Sequence, residues 1–213
     1  MSLFSLTNQT SLNCVHPCSV RIGGEITSMF YSGIIEMKFK NDTHPVSDFQ
    51  LKIGQGSNNK IGLHNLKVSI DDTPYSIRLR PKEEAKKLYQ EMLKDCSTNP
   101  IYGIGNDSYA VLELSQILQN QLITVSMEFE MPLSMISKNI IGLTFPLTYP
   151  TTKNSEILSC SDFKFECQFK LFPLKPNSIT SNPSGKLDLQ TSIYSIDHLD
   201  PNLSSITITF DPN

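Results

Sequence analysis

The 213-residue sequence has no tryptophan and only two alanines. So little alanine excludes a helical bundle or coiled coil, which draws on the strongest helix former. No run approaches the roughly 20 apolar residues of a membrane span. Residues 1–8, Met-Ser-Leu-Phe-Ser-Leu-Thr-Asn, have neither the basic stretch nor the apolar length of a secretory leader. Charge is sparse as well. With 18% charged residues and a net charge of -3, the chain has no net basic field to steer it onto nucleic acid or anionic lipid. It is also too weakly charged for a disordered acidic tail. Five cysteines, Cys14, Cys18, Cys96, Cys160 and Cys167, form an odd, sparse set rather than a disulfide scaffold. The expectation is a cytoplasmic, soluble protein with reduced thiols, no nucleic-acid partner and no membrane insertion.

What is abundant points to strands. There are 21 isoleucines, 41 serines plus threonines and 15 asparagines, and β-branched side chains suit a pleated surface better than a helix. Alternation with period two recurs along the chain. Ile35, Met37 and Phe39 alternate with Glu36, Lys38 and Lys40. Phe49, Leu51 and Ile53 follow, then Leu66, Val68 and Ile70, which lead to Tyr75, Ile77 and Leu79. Further along come Ile123 to Met131 against Thr124 to Glu130, Phe163 to Leu171 against Lys164 to Lys170, and Ile206, Ile208 and Phe210. One apolar and one wet face per strand implies a mainly β chain, an antiparallel β-sandwich around a shared core.

Asp71-Asp72-Thr73-Pro74 reads as a tight turn, making residues 66–80 a hairpin. Gly103-Ile-Gly105-Asn106-Asp107 reads as a turn, and Gly54 to Lys60 and Pro173 to Gly185 as loops. One segment breaks the two-residue rhythm. Between Pro81 and Asp95, Ala85, Leu88, Tyr89, Met92 and Leu93 fall on a single helical stripe, which predicts one amphipathic α-helix (about 81–95) packed on a sheet. Pro81 suits the first turn, and Glu83 and Glu84 lie near the positive end of the dipole. The polar, proline-bearing stretch Thr148 to Asn154 marks a boundary. It divides the chain at about residue 150.

Catalytic chemistry leaves no trace. No G-x-S-x-G elbow occurs, and His16, His44, His64 and His198 show no metal-ligand or triad spacing. Cys14-Val-His16-Pro-Cys18 has two thiols and an imidazole, but no second ligand motif follows. The glycines of 54–56 and 103–105 lack the spacing of a phosphate or dinucleotide loop. No catalytic residue, metal or cofactor is expected. Four sequons, at Asn8, Asn41, Asn106 and Asn202, matter only if the chain is secreted.

The order of strands, hairpin, helix and further strands resembles the vault protein inter-alpha-trypsin (VIT) domain over about residues 14–150. With the boundary near 150, the resemblance implies an N-terminal extension (1–13), a domain (14–150) and a β-rich extension (151–213). The resemblance is carried by Leu79-Arg-Pro81-Lys-Glu-Glu-Ala85-Lys-Lys-Leu-Tyr89-Gln-Glu-Met, by Phe39-Lys-Asn41 followed by Pro45-Val, and by Phe145-Pro-Leu147. The chain departs from the family at Cys96-Ser-Thr, where glycine is common, and at Gln119-Asn-Gln121, where Pro-Gly is common. The resemblance implies a non-catalytic protein–protein interaction or scaffold module, not an enzyme. It also implies a longer protein in which residues 151–213 precede a von Willebrand A domain, itself a possible partner. The family's secreted inter-alpha-trypsin-inhibitor heavy chains supply the alternative, an extracellular matrix or adhesion protein with real glycans and disulfides. An unrecognised hydrolase stands third.

Overall fold

A computed structural model describes residues 4–8, 14–27, 29–42, 46–54, 62–77, 79–94, 101–105, 109–138, 140–150, 155–157, 160–170, 178–182, 184–188, 190–198 and 205–211. In chain order the strands begin Phe4–Asn8 (β1), Cys14–Val15 (β2), Ser19–Thr27 (β3), Phe30–Lys40 (β4), Val46–Gly54 (β5), Gly62–Ile70 (β6), Thr73–Ser76 (β7) and Leu79–Arg80 (β8). The helix Lys82–Lys94 (α1) follows, then Ile101–Gly105 (β9), Tyr109–Ile117 (β10), Leu122–Pro132 (β11), Ser134–Ser137 (β12), Ile140–Pro146 (β13) and Thr148–Pro150 (β14). The last strands are Ser155–Ile157 (β15), Asp162–Phe169 (β16), Ser178–Asn182 (β17), Lys186–Asp188 (β18), Ile193–Ile196 (β19) and Ser205–Asp211 (β20). Among the described residues, no helix is long and apolar enough to cross a membrane.

The chain is mainly β, as its alternation predicts, and its centre is a sandwich. An eight-stranded sheet runs β18-β19-β16-β3-β4-β11-β6-β7, and a four-stranded sheet runs β12-β13-β20-β17. Their facing side chains interdigitate. Phe129 of β11 meets Phe145 of β13 at 5.8 Å between ring centres, Phe145 meets Phe165 of β16 at 6.2 Å, and Phe169 meets Phe210 of β20 edge-on at 5.4 Å. Each apolar set read from the alternation of β4, β11, β16 and β20 lies in this core, save Leu171, which is outside the described residues. Among the described residues, pairing is antiparallel with two exceptions, β16 beside β3 and β8 beside β9. The first is anchored where Ser19 Oγ donates to the Asp162 carboxylate at 2.9 Å. That bond, with Arg21 beside it, holds the exposed Asp162 carboxyl below its usual range. Strands from both sides of residue 150 share both sheets, since β16 and β19 join the first and β20 pairs with β13.

Tyr31 closes one end of the core, stacked on Phe165 at 6.5 Å and tilted against Phe129 at 5.5 Å. Its ring covers the cross-strand glycine pair Gly24 and Gly33, where a Cβ would come within 2.7 Å and 2.9 Å of ring carbons. The glycines thus exist for the ring. Its hydroxyl is buried with no hydrogen-bond partner, and burial, with Cys167 nearby, holds the phenol's pKa well above its ordinary value. An unpaired buried hydroxyl costs about 1–3 kcal/mol. Tyr31→Phe, which keeps the ring, should therefore raise the denaturation midpoint by the equivalent of about 1 kcal/mol. A lowered midpoint would show that the hydroxyl has a partner.

A six-stranded sheet, β2-β1-β5-β10-β9-β8, carries α1 against β8 and β9. The helix occupies the expected span, with Ala85 N–H bonded to the Pro81 carbonyl and Arg80 paired with Glu84 on its first turn. Ala85 is buried, but Leu88 is 39% exposed, a correction to the expected stripe. Helical phase puts a side chain on a face without guaranteeing that a layer covers it. The side chains of Tyr89, Met92 and Leu93 lie outside the described residues.

Asn41 joins this sheet to the sandwich. Its amide Nδ2 donates to the carbonyls of Ile117 at 3.3 Å and Leu118 at 3.1 Å, and its backbone bonds Asn120 and Gln121. The link therefore runs from the end of β4 to the turn between β10 and β11.

Three local readings are corrected. The hairpin ends at Ser76, and Leu79 belongs to β8 in the other sheet; Gly103 to Gly105 are strand β9; and β17 lies inside the expected loop 173–185. The Asp71–Asp72 turn is as read, with both residues at positive φ, which Asp tolerates. Asn120 does the same in the turn before β11.

A candidate docking groove on the outer face of the sandwich

Alternation puts the odd-numbered members of β4 and β11 in the core, so their even-numbered residues form the outer face of the eight-stranded sheet. Register then lines these residues up across strands. One row reads Glu166, Gly23, Ile34, Glu128 and His64, and the next Gln168, Glu25, Ser32, Glu130 and Gly62. All of them but Glu166 and Gly62 border a groove of about 800 Å³. A bulge in β6 helps to shape it. The register with β11 slips between Ser126 and Glu128, and Asn65 takes φ 43°. The extra residue sets His64 beside Glu128 on the outer face.

The groove's carboxylates are held in place. Glu128 accepts from Asn65 Nδ2 at 2.6 Å, Glu130 lies 3.9 Å from His64 Nε2, and Glu25 pairs with Lys170 at the rim. The floor is bare and partly apolar. Ile34 is 49% exposed there, and Phe30, outside the groove and two strand positions beyond Ser32, is 55% exposed. At Gly23 an added Cβ would meet nothing within 4 Å. Its φ lies outside the left-handed region, so neither packing nor backbone conformation demands glycine there.

Nothing in this geometry resembles an activated nucleophile. Cys18, Cys160 and Cys167 are free thiols. Burial pushes the Cys160 thiol up to about 11, helped by Asp162 and Cys18, and pushes buried Cys167 up further. Reactive cysteines are shifted the other way. Cys18 Sγ donates to the Lys38 carbonyl at 3.2 Å. Among the described residues no three His, Cys, Asp or Glu side chains group to hold a metal. His16, His64 and His198 lie exposed in separate segments, before β3, on β6 and after β19, and His44 lies outside the described residues. Of the expected helix-stripe residues, Ala85 is buried on α1 and Leu88 is exposed, and neither borders the groove. The groove residues Gly23, Glu25, His64, Glu128 and Glu130 were not singled out as a site from sequence. Their only local trace is a strand's wet side.

No family model matches the chain, and no curated protein matches it. Solved structures are similar in course. A candidate nutrient binding protein from Legionella pneumophila aligns over 98% of this chain and 73% of its own, at 9% identity and TM-score 0.46. Native leukotriene A4 hydrolase from Saccharomyces cerevisiae aligns over 97% and 29%, at 11% identity and TM-score 0.39. Aminopeptidase A from Legionella pneumophila aligns over 97% and 23%, at 10% identity and TM-score 0.40. The chain thus spans less than a third of either of the latter two.

Proposed function

We propose that this chain is a non-catalytic docking module of an intracellular protein, in keeping with its VIT-like segment, and that it binds a protein partner along the outer groove. The observation that carries this is Gly23. Glycine in a strand interior costs roughly 0.5–1 kcal/mol relative to alanine, and where the fold does not require it, it marks close approach by another backbone or ligand. The exposed Ile34, paired with Gly23 across the strands, adds apolar area to such a contact.

Asn41 supports the intracellular reading over the secreted one. The Nδ2 that would carry a glycan is buried and already bonded to two backbone carbonyls, so that sequon is closed to modification in the folded chain.

Gly23→Val raises a branched side chain from the floor of the groove, where an approaching backbone would lie, while improving strand propensity. In a quantitative affinity capture from the native host, partners recovered with the parent chain should be lost with this variant, while its melting temperature is equal or higher. Undiminished recovery would refute docking at this face.

A further inference from the structure

Resting on the docking reading above, we infer that the segment seated in the groove is extended and cationic, bearing arginine or lysine. Charge on the outer face is segregated by row. The two rows across the groove carry Glu25, Glu128, Glu130 and Glu166, with His64 as their one basic member. The next row carries Lys164, Arg21 and Lys67 around Glu36. Glu166 is matched by Lys164 and Glu25 by Lys170. Among the described residues, neither Glu128 nor Glu130 pairs with a lysine or arginine. Two carboxylates two positions apart on one strand thus face the groove with an asparagine amide and a histidine as their partners among the described residues.

The floor suits the same occupant. Lysine and arginine side chains lay an apolar stem on apolar surface and keep the charged head at a polar rim. Here the stem rests over Gly23 and Ile34, and the head reaches Glu128 and Glu130 across the neighbouring strand. An acidic segment would meet like charge, which costs affinity and on-rate.

The test uses the whole chain and a labelled short peptide alternating arginine and leucine, with one alternating glutamate and leucine as control, read by fluorescence anisotropy at low and physiological ionic strength. Saturable binding of the basic peptide alone is expected. It should weaken about tenfold in the Glu128→Gln, Glu130→Gln double variant and lose its dependence on salt. Gly23→Val should abolish it, and Thr207→Val, on the four-stranded sheet, should leave it unchanged. If the basic peptide fails to bind, or binds the double variant equally, while Gly23→Val still loses the native partner, docking stands and the cationic occupant is overturned. If Gly23→Val changes neither peptide binding nor partner recovery, both are overturned.

Discussion

Gly24→Val and Gly23→Val, adjacent in sequence, are expected to change stability in opposite directions. A Cβ on Gly24 would lie 2.5 Å from the Ser32 carbonyl oxygen and 2.7 Å from the Tyr31 ring and hydroxyl. Ser32 belongs to the paired strand, and Tyr31 is wedged between Phe165 and Phe129, so neither yields without disturbing the core. Overpacking of this kind costs about 3 kcal/mol. Gly23, facing the other way, has open space above it. Valine there reduces the freedom of the unfolded chain and fits the strand, worth about 0.5–1 kcal/mol in the stabilising direction. Chemical denaturation of both variants gives the comparison. Equal destabilisation would mean that the two glycines share one face, contrary to the register described.

Asn41→Ala is expected to lower stability by about 1–3 kcal/mol, because it leaves the buried Ile117 carbonyl without this donor and the part-buried Leu118 carbonyl with Gln121 N–H alone. Asn41→Asp should be at least as damaging near neutral pH, since an ionised carboxylate offers no N–H and faces two carbonyl oxygens. The loss should appear locally as well. Amide exchange at Asn120, whose N–H bonds the Asn41 carbonyl at 2.6 Å, should accelerate more than exchange at core strands of the sandwich. A neutral Asn41→Ala would show that the two sheets are held together elsewhere.

Much of the sandwich is legible in sequence because period-two alternation is a local property. β4, β11, β16 and β20 each carry it, and the Asp71–Asp72 and Asn120 turns announce themselves by residue type. The fold escapes reading where a strand borrows what it lacks. In β3 the alternation Val20, Ile22, Ile26 is interrupted at Gly24, because the missing side chain is supplied by Tyr31 from the neighbouring strand. β9, Ile101–Gly105, looks like a turn for the same want of side chains. β17, with Ser, Thr and Asn, has loop composition on a strand. The parallel pairing of β16 with β3 joins positions 143 apart, as at Ser19 and Asp162, and leaves no local sign. The groove was illegible for that reason. Glu128 and Glu130 read only as solvated members of an alternating strand, and nothing in the order of residues says that Gly23, His64 and Glu25 lie across from them. Leu88 shows the converse, a correct helical phase whose side chain still meets solvent.

The claim that the outer face of the eight-stranded sheet is a docking surface is tested most directly by site-specific photo-crosslinking in the native host. A benzophenone side chain at Ser32, in the middle of the groove, should form adducts with a discrete protein. The same group at Thr207, on the four-stranded sheet, should form none. Adducts at both positions alike, or at Thr207 alone, would contradict the account.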